Sequence, residues 1–297
     1  MCTNPEEPWP AWDGSFDYDF ESIKNRLSKK EEELKKSEII YLSGGEPTLH
    51  PHFLEILKYI NQKFPKLKIM LLTNGRTFYY EKFSKIFTSI KNLSIAVSFH
   101  GHNSKTHDSI TRMPGSFNQV CQGLKNILKN RRSGQEVEVR VVITGKNYKS
   151  LGDILALLEK KFPSIDRIVI VFLEIEGHAV RNLKAVGVTY DKFNPILEKN
   201  RKMIISSEKV RLYHFPLCKV PFGLWPYVWR TLPEKEVSFA KICDSCLYKK
   251  HCLGVHKMYL KYIGEEGIKP IRKKVFLKLS KNFHQPVKSV SINKKKK

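Results

Sequence analysis

The spacing best suited to metal chemistry lies near the end of the chain. Cys243, Cys246 and Cys252 form C-x2-C-x5-C, and Cys218 precedes them in the apolar segment RLYHFPLC. Clustered thiols in a cytosolic chain read as a metal site before they read as disulfides. Four thiolates suit either a [4Fe–4S] cluster or structural zinc, and a pair followed by singlets departs from the two close pairs usual for zinc. Cys2 and Cys121 stand alone, and Cys121 reads as a core or boundary thiol in the middle of a helix. His256 reads as a packed or surface histidine. A second constellation, Ser43-Gly44-Gly45-Glu46-Pro47-Thr48, follows the apolar run EIIYLS. Two glycines let a backbone approach a ligand closely, and a carboxylate at a strand end can pair with an ammonium group. Taken alone, Gly-Gly-Glu-Pro is equally a turn.

These groups need elements to hold them. EIIYLS (38–43), LKIMLLT (67–73), NLSIAVSFH (92–100), EVEVRVVIT (136–144) and DRIVIVFLEI (166–175) read as buried strands. Between them, helical spacing of apolar residues predicts helices over 51–64, 79–90, 116–130 and 151–162, with another over 18–36. Such alternation predicts an α/β fold with a parallel sheet and right-handed crossovers. Gly44 to Pro47, Thr73-Asn74-Gly75, Ser98-Phe99-His100-Gly101 and Glu174-Ile175-Glu176-Gly177 all follow strands. They therefore share the C-terminal edge of the sheet, where barrel-type folds hold their active sites. Composition changes near residue 200, which predicts a core domain over 1–200 and a small Cys-rich module with a basic tail over 201–297.

The Gly-Gly-Glu-Pro motif, the Thr-Asn-Gly ending the next strand and the segment VSFHGHNSKTHDSITRMPGSFNQVCQGLKNIL resemble the radical S-adenosylmethionine (SAM) superfamily over about residues 1–180. The resemblance implies a partial (β/α)6 TIM-like barrel, here without its first strand. The family signature is C-x3-C-x2-C, three thiolates holding a catalytic [4Fe–4S] cluster. Cys2 stands where the third of these is expected, which places the other two upstream of Met1. The chain as given is thus expected to be truncated at its N-terminus, incomplete in cluster ligands and inactive. The alternatives are a degenerate member without a cluster, and Cys2 as a plain exposed thiol. The resemblance further implies that Gly44, Gly45 and Glu46 bind the methionine amine of SAM and that Ser98 and His100 serve the ribose. Asn74 is either a cofactor contact or a turn former. Arg140 meets the SAM carboxylate if its side chain points inward, which a period of two leaves at even odds. The C-terminal cysteines resemble the auxiliary modules called twitch and SPASM. Full SPASM needs another cysteine where His256 stands, so one twitch-like auxiliary [4Fe–4S] cluster on Cys218, Cys243, Cys246 and Cys252 is expected, with zinc as the alternative.

The implied activity is generation of a 5′-deoxyadenosyl radical for hydrogen abstraction from a peptide or protein, with flavodoxin or ferredoxin as reductant. Lys and Arg number 53 against 29 Asp and Glu, a net charge of +24, which keeps an RNA-modifying enzyme as an alternative. Against it, lysine is spread along the whole chain and no arginine cluster is interleaved with aromatics. A non-catalytic metal-binding α/β protein is the third reading. No apolar run approaches the ~20 residues of a membrane span and no signal segment is visible, so a soluble cytoplasmic protein is expected.

Overall fold

The computed structural model describes residues 19–291. Cys2 and the basic end beyond residue 291 lie outside the described residues. Seven strands follow one another in sequence order across one sheet: β1 (Ile39–Leu42), β2 (Lys68–Thr73), β3 (Leu93–Ser98), β4 (Val137–Ile143), β5 (Arg167–Phe172), β6 (Val210–Tyr213) and β7 (Val228–Trp229). Pairing is parallel from β1 to β4 and from β5 to β7. The expected parallel α/β sheet is therefore present, and β6 and β7 extend it beyond the five strands read from the sequence. Both are short, and β6 follows a long run of helical segments, so neither carries an alternating signature that stands out. The predicted helix over 18–36 is two helices, α1 (Phe20–Lys29) and α2 (Glu31–Lys36), with the break at Lys30. The further helices before β5 are α3 (Phe53–Lys63), α4 (Glu81–Thr88), α5 (Ser104–Thr111), α6 (Ser116–Asn130) and α7 (Leu151–Lys161).

The chain divides into two compact units. The first holds residues 19–140 and Leu157–Arg167. Its strands present an apolar face to the helices, with Leu71, Val97 and Val139 fully buried. Phe87 meets Phe53 and Phe78 edge to face, with centroids 5.1 and 5.7 Å away. Among the described residues β1 forms one margin of the sheet, and none of its four residues is fully buried. At the other extreme, Gly123 of α6 lies so close to the Gly75 carbonyl that an added Cβ would stand 2.3 Å from the oxygen. A helix can rest on that turn only where it has no side chain.

The second unit holds Val141–Ala156 and residues 168–291. Its core is aromatic: Phe172 stacks on Tyr190 at 3.8 Å, with Phe193 and Phe215 beside them. Buried Trp225 donates its Nε1–H to the carbonyls of Leu217 and Val220 at 3.0 and 3.1 Å, which fixes the segment around Cys218. Two small antiparallel pairs complete it, β8 (Val237–Ser238) with β9 (Val255–His256) and β10 (Phe276–Leu279) with β11 (Val287–Ser291). Among the described residues no helix is long and apolar enough to cross a membrane.

Candidate functional site

At the end of β1 the chain turns through Gly44 and Gly45 into Glu46. Gly44 has φ +155°, and a Cβ added at either glycine would meet nothing within 4 Å. Among the described residues nothing fills the space above this turn. Glu46, by contrast, is fixed. Its Oε1 accepts from the Thr48 hydroxyl at 2.7 Å, the Thr48 amide at 3.3 Å and the Thr73 hydroxyl at 2.7 Å, and its Oε2 accepts from the Asn74 amide at 2.7 Å. The Thr48 hydroxyl is thereby used as a donor, so the Thr77 hydroxyl 2.7 Å away donates to it. One carboxylate ties the end of β1 to the end of β2. A carboxylate offers about four lone-pair sites. Oε1 is saturated, and Oε2 keeps acceptor capacity.

The same edge continues across the sheet. Thr73 is level with Val97, and Ser98 with Arg140, so Asn74, Ser98 and Arg140 succeed one another along one row. All three are half-buried. The Asn74 side chain accepts from the Arg76 amide at 2.9 Å, which makes it a turn former whatever else it does. Arg140 donates from Nε to Oε1 of Glu138 at 2.5 Å. His100 is placed differently: its ring is buried and stacks on His107 of α5 with centroids 5.7 Å apart. Burial, with His107 beside it, pushes its pKa down to about 3, so the ring is neutral at ordinary pH. Thr48 and Thr73 stand in motifs read from the sequence but carried no assigned role there, and Glu138 was not singled out. Thr73 had a signal in its place beside Asn74, and Glu138 in the alternating charges of EVEVR.

In the second unit Cys218, Cys243, Cys246 and Cys252 line one cavity of about 400 Å³, part of it open to solvent. Leu217, Tyr248, Ile268 and Ile271 contribute apolar walls. The sulfurs receive backbone donors at 3.4 Å, Cys252 from Leu217 and Gly254 and Cys246 from Ile271. Burial raises the Cys218 and Cys243 thiols and pushes Cys252 up to about 12. Among the described residues no three His, Cys, Asp or Glu side chains are gathered around a single-ion position. Cys121 is a half-buried helix residue whose thiol burial pushes up to about 11. His256 is a packed histidine, 2% exposed, with Nε2 3.2 Å from Glu176. Glu174 stands 3.2 Å from Nδ1 of His214.

The sequence model of the radical SAM superfamily matches residues 1–158, more than half of the chain. The chain belongs to the radical SAM superfamily. Membership implies SAM and a [4Fe–4S] cluster, and the open space above Gly44 and Gly45 beside a fixed carboxylate fits the amino-acid end of SAM. Among relatives of this radical SAM chain, the antilisterial bacteriocin subtilosin biosynthesis protein AlbA of Bacillus subtilis is 32% identical over 112 residues, 38% of this chain and 24% of AlbA. Fe-coproporphyrin III synthase of Methanosarcina barkeri is 28% identical over 168 residues, 56% of this chain and 40% of the synthase. The crystal structure of Streptococcus suis SuiB bound to precursor peptide SuiA shares the fold, with a TM-score of 0.52 at 14% identity over 65% of this chain and 41% of SuiB. The chain thus spans from about a quarter to about two fifths of the length of these three proteins. The likeness to SuiB identifies the sheet as the partial TIM-like barrel expected of the family.

Proposed function

We propose that this radical SAM chain binds SAM at the C-terminal edge of β1 to β4 and directs its chemistry onto a peptide or protein. The observation that carries the site is the Glu46 clamp, which joins the open Gly44-Gly45 turn to the Asn74, Ser98 and Arg140 row. When bound, SAM and a reduced [4Fe–4S] cluster supply a 5′-deoxyadenosyl radical that takes a hydrogen atom from the substrate. The protein's part is to hold the ligand. Gly44 and Gly45 admit it against the backbone, and Glu46 Oε2 retains acceptor capacity for an ammonium group. The Ser98 hydroxyl and Arg140 guanidinium offer donors to the ribose and the carboxylate. The buried His100 ring, stacked on His107, shapes the loop after Ser98. Cys2 is the cluster ligand this chain offers, and flavodoxin or ferredoxin fits as reductant. A peptide substrate draws support from AlbA, named for bacteriocin biosynthesis, and from SuiB, whose structure holds a precursor peptide.

Cys218, Cys243, Cys246 and Cys252 would hold one twitch-like auxiliary [4Fe–4S] cluster. The four thiols line one cavity, and a close pair followed by singlets departs from the two close pairs usual for zinc, which favours a cubane. Anaerobic reconstitution should load about four irons at this cavity with broad thiolate-to-iron absorption, lost in Cys243→Ala and Cys246→Ala. One zinc per chain with no iron uptake would leave a structural site. For the SAM edge, Glu46→Gln replaces an acceptor with an amide N–H and should weaken SAM binding about tenfold or more. Unchanged affinity in that variant would refute the assignment.

A further inference from the structure

The sheet of the first unit carries a run of charges that leads to Arg140 and that, Arg140 apart, the site described above leaves without a role. Lys68 at the start of β2 and Arg167 at the start of β5 both pair with Glu136 of β4. Arg167 Nε also lies 3.5 Å from Oε2 of Glu138, whose Oε1 accepts the 2.5 Å bond from Arg140. Charges therefore alternate Lys68, Glu136, Arg167, Glu138, Arg140, running toward the C-terminal edge. The Glu138 side chain is only 4% exposed. A carboxylate so buried is tolerated when its charge is met on the spot, and here a guanidinium stands on each side. In register, Glu138 is level with Ala96 and Arg140 with Ser98. Side chains two apart on a strand share a face, so Glu138 and Arg140 share one, and the carboxylate grips the arginine by its Nε edge.

We propose that Glu138 is a positioning residue for Arg140, setting that guanidinium to receive the α-carboxylate of SAM. This rests on the reading of the β1 to β4 edge as a SAM site. A guanidinium is a planar fork that recognises carboxylates by geometry. Its long stem otherwise samples many rotamers, and a buried carboxylate two residues earlier removes that freedom before the ligand arrives. Glu136 belongs to the same network but touches Lys68 and Arg167 rather than Arg140, which makes it the natural control.

The test compares SAM with decarboxylated SAM by calorimetric titration of the iron–sulfur-reconstituted protein carrying all three thiolates of the catalytic cluster. The wild type should bind SAM more tightly. Glu138→Gln should weaken SAM by about tenfold and leave decarboxylated SAM unchanged. Arg140→Gln should do the same, and the double variant should be no worse than Arg140→Gln alone. Glu136→Gln should keep the wild-type ratio of the two affinities. Glu138→Asp keeps the charge but shortens its reach by one methylene. It reads the same ratio should the Gln variant fail to fold, and a smaller ratio than wild type is expected. A wild-type ratio in a folded Glu138 variant, or equal losses for both ligands, overturns the positioning role while the SAM site stands. A wild type that binds both ligands equally overturns the carboxylate contact and the positioning role together, and one that binds neither overturns the SAM-site reading on which they rest.

Discussion

At the scale of single residues, the loop that follows Ser98 depends on two neutral histidines. The backbone N–H of His100 donates to Nδ1 of His107 at 3.1 Å, so Nδ1 must be unprotonated. Burial pushes His107 down to about 4, opposed in part by Asp108, and His100 down to about 3. Both folded values lie below the ~6.5 of a histidine in an unfolded chain. Between these limits the unfolded state binds more protons, so stability rises with pH. The contribution is fully present above about pH 6.5 and is lost as pH falls toward 4 and 3. Acidification from pH 7 to 5 should cost about 1–2 kcal/mol for each ring, followed by urea unfolding at each pH. His107→Gln, whose side-chain oxygen can still accept, should flatten that dependence. An unchanged slope would show that His107 does not carry it.

At the scale of elements, the Asn74 turn is held from both sides. Glu46 fastens it to β1, and α6 rests on it through Gly123. Gly75 itself has φ +77°, and its added Cβ would stand 2.8 Å from Val97 Cγ1. Gly123→Ala must push the helix away from the Gly75 carbonyl. Overpacking of this kind costs about 1–3 kcal/mol, readable as a lowered urea midpoint with unchanged m-value. SAM affinity should fall with it, because Asn74 and the Thr73 hydroxyl move with the turn. Gly115→Ala is a contrast: its Cβ meets nothing, and only its φ of +81° resists substitution. Its cost should stay near ~1 kcal/mol, the usual strain of a left-handed non-glycine residue, without loss of SAM affinity.

For the whole molecule, the net charge of +24 is dispersed. Many ion pairs lie one helical turn apart on exposed faces, such as Lys24 with Glu21 and Lys35 with Glu31. A dispersed excess gives polyanion binding through counterion release and little sequence preference. Added tRNA should bind at about 50 mM salt and dissociate by about 0.2–0.3 M, with affinity falling steeply on a log scale. Binding that persists in high salt would restore the RNA-modifying reading.

Much of the fold was legible because it is written locally. Apolar runs of strand length, separated by helical spacing, set the order β1 to β5, and Gly-Gly-Glu-Pro and Thr-Asn-Gly marked the edge where the proposed site lies. The spacing of the four cysteines announced that they lie together, and they line one cavity. What the sequence left open depends on partners far apart along the chain. Glu46 meets Thr73 and Asn74, 27 and 28 residues on, because the parallel pairing of β1 with β2 brings their ends level. The face taken by Arg140 was even odds until register set it beside Ser98 and Glu138 closed on its Nε. His100, polar and at a strand end, looked open to a ligand, yet α5 packs over it. Period and composition report which residues want to be buried, and register and crossover decide what each one touches.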